Sequence, residues 1–353
     1  MYKNRTNSNK EIELFCKLIG NDCGLLFNPS DYLFVENRIE SLRCRYGCFS
    51  LNDVIQKAKS DLSIKYDLIN LLTTNETWFF RHQHHFEILK TKVFPEIIKR
   101  KLMKGDKNIK IWSAGCANGA EAYSILMALL DYLDDADNDF NIKIIGSDIS
   151  VDSIKEAQNA IYESRALKNV DCNNRLKYFI HEEYGKYRIK PHLLNHVTFE
   201  MLNIVKSWPP RDFDLIFCRN TMIYFSPEIK SQLIHRFANS LNKYGYLFTS
   251  ANEIINENNE NLQRVYTNNE IIYQKKSSEI TKKLILFKDS NNMNRAINLM
   301  RNFGCNFDFL FNNPDVKRSN ALKSLYVPEN ETEFVYKLLS ESGIAYKTEG
   351  MFN

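Results

Sequence analysis

Ile109-Lys110-Ile111-Trp112-Ser113-Ala114-Gly115-Cys116-Ala117-Asn118-Gly119 opens the part of the chain that decides the fold. Ile109, Ile111 and Trp112 make a short apolar run, and Ser113, Ala114 and Gly115 end it, the signature of a strand running into a turn. Beyond the loop, Glu121 to Leu133 carries apolar residues at helical spacing through Ile125, Leu129 and Leu130. A second unit follows at once: Ile142 to Ile145 is β-branched, Gly146 closes it, and Val151 to Ile161 reads as a helix. Two strand-then-helix units in succession predict an α/β fold with a parallel sheet and right-handed crossovers. Phe213 to Cys218 and Tyr244 to Ser250 add strands around a helix at Pro227 to Leu241. Tyr178 to Phe199, with Tyr187, Ile189, Val197 and Phe199 in alternation, reads either as a small antiparallel insertion or as another edge strand.

Upstream, Glu11 to about Phe94 reads as helices. Leu14, Leu18 and Ile19, then Val35, Ile39 and Leu42, recur at three- and four-residue steps, with Asn28, Pro29 and Ser30 as the break. Ser30 or Asp31 is placed to cap the second helix, and Asn52 to Leu72 continues through Val54, Ile55, Ala58 and Leu62. Downstream, the polar stretch Lys275 to Lys283 predicts a boundary near 278–282. After it come strands at Leu284 to Phe287 and Phe307 to Phe311 and helices at Met293 to Phe303 and Glu331 to Ser342, a compact α/β module of ferredoxin-like or receiver-like character. Asp289 is too isolated there to read as a phosphorylation site. The expected division is a helical N-terminal domain and linker at 1–90, an α/β domain at 91–278 with a possible β insertion at about 178–199, and the accessory module at 280–353.

The 353 residues are 44% hydrophobic and 25% charged, the balance of an ordinary globular protein of two or three domains. No apolar stretch approaches the roughly 18 residues of a membrane span, and Met1 to Lys10 lacks the apolar core of a secretory signal, so the expectation is a soluble cytoplasmic chain, not membrane-inserted. Eight scattered cysteines fit reduced thiols; Cys44 and Cys48 lack a second pair at zinc-ligand spacing, and no metal is expected. A net charge of only +4 with interspersed signs gives no polyanion footprint, so nucleic acid is not an expected partner.

Three groups of residues carry chemistry. The Gly115 to Gly119 loop is by itself an ordinary strand-to-helix turn, yet it is also the kind that lets backbone approach a ligand at the carboxyl end of a parallel strand. Asp148, 33 positions after Gly115 at the end of the next strand, reads as an acceptor for a ribose diol or as the cap of the helix starting at Ser150 to Asp152. Loop and carboxylate together point to a nucleoside cofactor without separating NAD from S-adenosylmethionine. In Asn75-Glu76-Thr77-Trp78-Phe79-Phe80-Arg81, polar residues interleave with three aromatics, and Arg81 offers a planar fork to a carboxylate. His82, His84 and His85 read as a polar helix face rather than a metal or base cluster.

Taken in order, Asn75-Glu76-Thr77-x-Phe79-Phe80-Arg81, Trp112-Ser113-Ala114-Gly115-Cys116, Ser147-Asp148-Ile149-Ser150 and Phe213-Asp214-Leu215-Ile216-Phe217-Cys218-Arg219-Asn220-Thr221-Met222-Ile223-Tyr224-Phe225 resemble the successive signatures of CheR-type chemotaxis protein methyltransferases, over about residues 11–275. The resemblance implies a Rossmann-like S-adenosylmethionine-dependent methyltransferase domain behind a helical N-terminal domain. It also implies transfer of a methyl group to glutamate side chains in the cytoplasmic domain of methyl-accepting chemotaxis receptors, with S-adenosylhomocysteine as product. Carried over by position, Asn75, Thr77 and Arg81 contact the cofactor from the linker, and Glu121 lies against its amino-acid end. Asp148 binds the ribose, while Asn203 with Ile204 and Asn220 with Thr221 line the adenosine and methionine sides. The chain is expected to act as a monomer.

Two departures from the family pattern stand out. Gly-Glu-Glu-Pro-Tyr-Ser is here Gly119-Ala120-Glu121-Ala122-Tyr123-Ser124, and the usual Gly-His-Ser-Glu is replaced by Thr249-Ser250-Ala251-Asn252-Glu253. The first bears on cofactor orientation, the second on the floor of the active site. They motivate the alternative of a catalytically degenerate scaffold that binds cofactor or receptor; a methyltransferase of another substrate class is the remaining one. Methyl transfer to a carboxylate needs no strong general base, because a carboxyl group of pKa about 4.3 is ionised near pH 7. No catalytic acid or base is therefore assigned, and Arg219 and Tyr224 are left between holding the acceptor glutamate and core or capping roles.

Overall fold

The computed structural model describes residues 2–73, 76–134, 139–207, 212–255, 259, 261–267, 270–276, 282–287, 289–302, 308–309 and 323–348, in two compact units, 1–276 and 277–353. In the first unit, α1 (Tyr2–Cys23), α2 (Tyr32–Arg45), α3 (Leu51–Ser60) and α4 (Leu62–Leu72) come before any strand. They enclose Phe15, Ile19, Val35, Ile39, Val54 and Leu68, apolar positions at helical spacing that form one buried cluster. Asn52 to Leu72 is two helices rather than one, because Asp61 is extended (φ −123, ψ 111) and closes α3. Ser50 and Asp53 form the capping box that starts α3. Neither Ser30 nor Asp31 caps α2 with its side chain; the Asp31 carboxylate turns back and accepts from the Asn28 N–H at 2.7 Å.

The chain continues through α5 (Gln83–Ile88), α6 (Phe94–Met103), β1 (Asn108–Ala114), α7 (Ala120–Asp134), β2 (Asn141–Asp148), α8 (Val151–Asn159) and β3 (Ile161–Glu163). Then come α9 (Cys172–Tyr178), β4 (Phe179–His181), β5 (Lys186–Ile189), α10 (Pro191–Leu194), β6 (Val197–Met201) and β7 (Phe213–Phe217). Last in this unit are α11 (Pro227–Ser240), β8 (Leu241–Phe248), β9 (Leu262–Thr267) and β10 (Glu270–Lys275). Seven strands form one sheet in the order β6-β2-β1-β7-β8-β10-β9. The first five run parallel, and β10 and β9 close the edge as an antiparallel hairpin that the sequence reading does not anticipate.

Alternation along each strand divides the core in two. Ile109 and Ile111 of β1, Ile142 and Ile144 of β2, and Leu215 and Phe217 of β7 pack on one face with α6 and α7. Trp112, Ala114 and Ile216 pack on the other with Leu233 and Phe237 of α11. A sheet buried on both faces is what gives its strands nearly continuous apolar runs.

Both readings of 178–199 hold for part of it. β3, β5 and β4 form a separate antiparallel sheet, while β6 is the outer parallel strand of the main sheet. The insertion therefore begins upstream of 178, at Ile161, where the helix expected to reach Ile161 has ended in the left-handed residue Ala160 (φ 53). A three-residue strand is too short to display a period, which is why β3 is invisible in the sequence.

The second unit contains β11 (Lys282–Phe287), α12 (Ser290–Asn302), β12 (Asp308–Phe309), β13 (Lys323–Pro328), α13 (Glu329–Glu341) and β14 (Tyr346–Thr348). Its sheet, ordered β12-β13-β11-β14, is antiparallel throughout, the βαββαβ arrangement of ferredoxin-like folds and not the parallel sheet of a receiver. Ile285, Phe287, Leu325, Val327, Met300 and Leu339 form its core. Asp289 serves α12, its carboxylate accepting from the Asn292 N–H at 2.8 Å. The boundary expected at 278–282 falls largely outside the described residues, as do Phe307, Leu310 and Phe311 of the expected strand.

Candidate functional site

The carboxyl ends of β1, β2, β6 and β7 open into one cleft of about 1130 Å³, its mouth included. This is where ligands sit on open parallel sheets. Thr77, Arg81, Glu121 and Asp148 line it, and so do Asn203, Ile204, Asn220 and Thr221, although Thr77 and Thr221 are 144 positions apart in the chain. Asn75 lies outside the described residues. The helical domain closes one side with Cys23, Leu25 and Thr73, and the Leu26 N–H donates to the Tyr224 carbonyl at 2.7 Å to tie the two parts together.

The floor of the cleft is the β1 loop. The N–H groups of Gly115 and Cys116 both donate to the Ser147 carbonyl, at 2.8 and 3.0 Å, which joins the ends of β1 and β2. Gly115 adopts φ +81, and a Cβ there would lie 2.1 Å from Thr221 Oγ1, so only glycine allows the loop to lie against the β7 turn.

Asp148 is 8% exposed. Its Oδ2 accepts from the Ala117 N–H and its Oδ1 from the Ser150 N–H, both at 2.9 Å. The cap of α8 is Ser150, whose hydroxyl accepts from the Ser153 N–H, so capping does not account for Asp148. Burial raises the Asp148 pKa against those backbone hydrogen bonds. A carboxylate offers about four acceptor positions, and with the Ile149 N–H also turned to it, Asp148 keeps room for a further donor such as a ribose hydroxyl.

Glu121, at the start of α7, accepts from Ser113 Oγ at 2.8 Å and pairs with Arg219 Nη1 at 3.3 Å. Burial raises its pKa, with the Arg219 charge acting in opposition. Arg81 donates through Nη1 to the Glu76 carbonyl at 2.7 Å and stacks on Trp78, 4.7 Å from the ring centre. Asn203 does what a loop amide does, accepting from the Val205 N–H at 3.0 Å, while still facing the cleft.

Ala120 and Ala122 are fully buried within the core, so the first departure from the family pattern is a packing matter and leaves Glu121 in the lining. The second departure preserves a carboxylate that the sequence reading did not single out. Glu253, 5% exposed, accepts from the N–H groups of Asn220 (3.0 Å), Ile223 (3.1 Å) and Ser250 (2.9 Å) and from Ser250 Oγ (2.5 Å). It holds the turn that presents Asn220 and Thr221. The available signal was an acidic residue shortly after an apolar strand, ambiguous without knowing what lies beside it.

The histidines differ from a polar helix face. His84 is exposed beside Glu87, His82 sits in the left-handed region before α5, and His85 is buried against Phe248. Burial, and after it the Arg219 charge, lowers the His82 pKa to about 4 and the His85 pKa to about 3. Among the described residues no helix is long and apolar enough to cross a membrane.

Residues 75–272 match the family model "CheR methyltransferase, SAM binding domain". The chain is 32% identical to a chemotaxis protein methyltransferase of Borreliella burgdorferi over 260 residues, 72% of this chain and 91% of that one. It is 31% identical to chemotaxis protein methyltransferase 1 of Pseudomonas aeruginosa over 274 residues, 76% of this chain and 99% of that one.

Proposed function

This chain belongs to the CheR methyltransferase family, and we propose that it esterifies glutamate side chains in the cytoplasmic part of chemotaxis receptors. It is a methyltransferase that uses S-adenosylmethionine, and it acts in chemotaxis. The observation that supports the reading of the cleft is the pairing of two buried carboxylates with different free capacities. Asp148 has acceptor room for a ribose hydroxyl, and Glu121 lies beside a guanidinium at the end suited to an amino acid. These groups fit the cofactor, as do the Arg81 fork and the apolar side chains of Ile149, Leu202 and Ile204 in the lining.

When bound, S-adenosylmethionine would supply an electrophilic methyl group, an acceptor carboxylate oxygen forming the bond to that carbon as the carbon–sulfur bond breaks and S-adenosylhomocysteine leaves. The protein's share is alignment and exclusion of water. Fixing reactants in an attack geometry can contribute about 7–11 kcal/mol to lowering a barrier. Glu253 holds the Asn220–Tyr224 turn, Gly115 brings the β1 loop against it, and the ends of α1 and α4 cover one side of the cleft. No proton has to leave the acceptor, since a glutamate is already ionised near pH 7.

Neither departure favours a scaffold without activity. Ala120 and Ala122 lie in the core, and Glu253 retains its anchoring role. Incubation of the full chain with methyl-labelled S-adenosylmethionine and receptor cytoplasmic fragments should give label that alkali releases as methanol. Cofactor binding without label on any receptor fragment would reject the enzyme reading.

A further inference from the structure

Between the helical domain and α5, the linker takes a backbone shape that its side chains do not favour. Phe80 (φ 52) and His82 (φ 60) both lie in the left-handed region, one on each side of Arg81, and neither is glycine. Such a conformation persists only where the surroundings over-determine it. Both polar groups of the Phe80 backbone are held by side chains distant in the chain. Its N–H donates at 3.0 Å to the hydroxyl of Ser124, which is buried in α7 and itself donates to the Ala120 carbonyl. Its carbonyl accepts from Asn169 Nδ2 at 3.1 Å.

Asn169 belongs to the antiparallel insertion, between β3 and α9, and the insertion grips the linker at more than that one point. The Ala166 carbonyl accepts from the Phe79 N–H at 3.0 Å, and Lys168 Nζ sits 3.4 Å from the centre of the Trp78 ring. The fully buried Phe79 ring meets Tyr162 of β3 and Phe179 of β4 edge-on. Arg81 follows directly on the held carbonyl, so the course of its side chain into the cleft depends on the peptide that Asn169 fixes. We propose that Asn169 is a positioning residue for the methyl donor: it locks the Phe80 carbonyl, and through it the strained linker, in the form that presents Arg81 to the cleft. The inference rests on the S-adenosylmethionine reading above. It makes the insertion a support of the cofactor site, although none of residues 161–189 lines the cleft.

The test is a double-mutant cycle read by calorimetry of S-adenosylhomocysteine binding to the full chain. Asn169→Ala should weaken binding about three- to tenfold by releasing one hydrogen bond on the linker, and Asn169→Gln, which keeps the amide donor, should recover part of that loss. In an Arg81→Ala chain, itself weakened, Asn169→Ala should add less than about twofold, because the residue through which Asn169 acts is gone. In methyl transfer to receptor fragments, Asn169→Ala should raise KM for S-adenosylmethionine and leave KM for the fragment unchanged. Equal losses in the two backgrounds would make Asn169 a structural residue only and overturn the proposal, as would native affinity in Asn169→Ala. An affinity loss that follows a fallen melting temperature and is not relieved by Asn169→Gln would overturn it as well. Native affinity in Arg81→Ala would remove Arg81 from the cofactor and the positioning role with it. Absence of S-adenosylhomocysteine binding to the wild-type chain would reject the cofactor reading itself.

Discussion

Replacing Glu253 with glutamine keeps the side-chain volume and removes the charge that organises the β7 turn. In the native chain Oε2 accepts from Asn220 N–H, Ser250 N–H and Ser250 Oγ, and Oε1 accepts from Ile223 N–H. If the amide oxygen takes the Oε2 position, the NH₂ group confronts the Ile223 N–H, so one charge-assisted bond is lost and the others become neutral. A bond to a charged group contributes about 1.5–3 kcal/mol, which puts the total near 2–4 kcal/mol. The three tryptophans, Trp78, Trp112 and Trp208, all lie before residue 277, so urea unfolding followed by their fluorescence reports the first unit without the second. Because Asn220 and Thr221 line the cleft, S-adenosylhomocysteine affinity should fall as well, by about tenfold if the displaced turn forfeits one hydrogen bond. A stability change below about 0.5 kcal/mol, within the range of ordinary surface substitutions, together with native affinity would refute the anchoring role.

Asp148→Asn should raise the S-adenosylhomocysteine Kd about ten- to a hundredfold by replacing one ribose acceptor with a donor; calorimetry returning the native value would remove the ribose from this carboxylate. Gly115→Ala should destabilise the first unit by about 1–3 kcal/mol through its positive φ and its clash with Thr221 Oγ1, and Thr221→Ala in the same chain should recover part of that loss. Identical costs in both backgrounds, measured by denaturation, would show that the clash is not felt. Glu121 has its pKa raised above the ordinary 4.5, chiefly by burial, and an ammonium partner should pull it back down. Binding must then expel a proton at pH values below the raised free-state value, so S-adenosylhomocysteine affinity should increase as pH rises towards that value. Titration in two buffers of different ionisation enthalpy measures that proton, and Glu121→Gln should abolish its release. On the stability of the unliganded chain the sign is opposite: the raised pKa contributes stability below 4.5 that is lost as pH rises through the folded-state value.

Read alone, the sequence determined the α/β class, the helical segment before it, and the strands and helices whose periods run long enough to show. Ile111-Trp112, Ile144-Ile145 and Leu215-Ile216-Phe217 announced themselves because burial on both faces leaves consecutive apolar residues, while Lys110 and Lys143 nearer the strand starts are exposed. The family motifs likewise carried Thr77, Arg81, Glu121, Asp148, Asn203, Ile204, Asn220 and Thr221, which the fold brings to one cleft. Local patterns could not supply β3, the β9–β10 hairpin, the burial of His85 or the anchoring by Glu253. Each depends on what stands opposite: Arg188 and Tyr187 beside β3, Phe248 against His85, and a turn 30 to 33 residues away in the chain for Glu253. The same holds for Arg219, which the sequence leaves between holding the acceptor glutamate and a core or capping role. Only the tertiary structure puts its guanidinium between Glu121 and the Arg81 carbonyl, because sequence period records which way a side chain points and says nothing of the partner it meets.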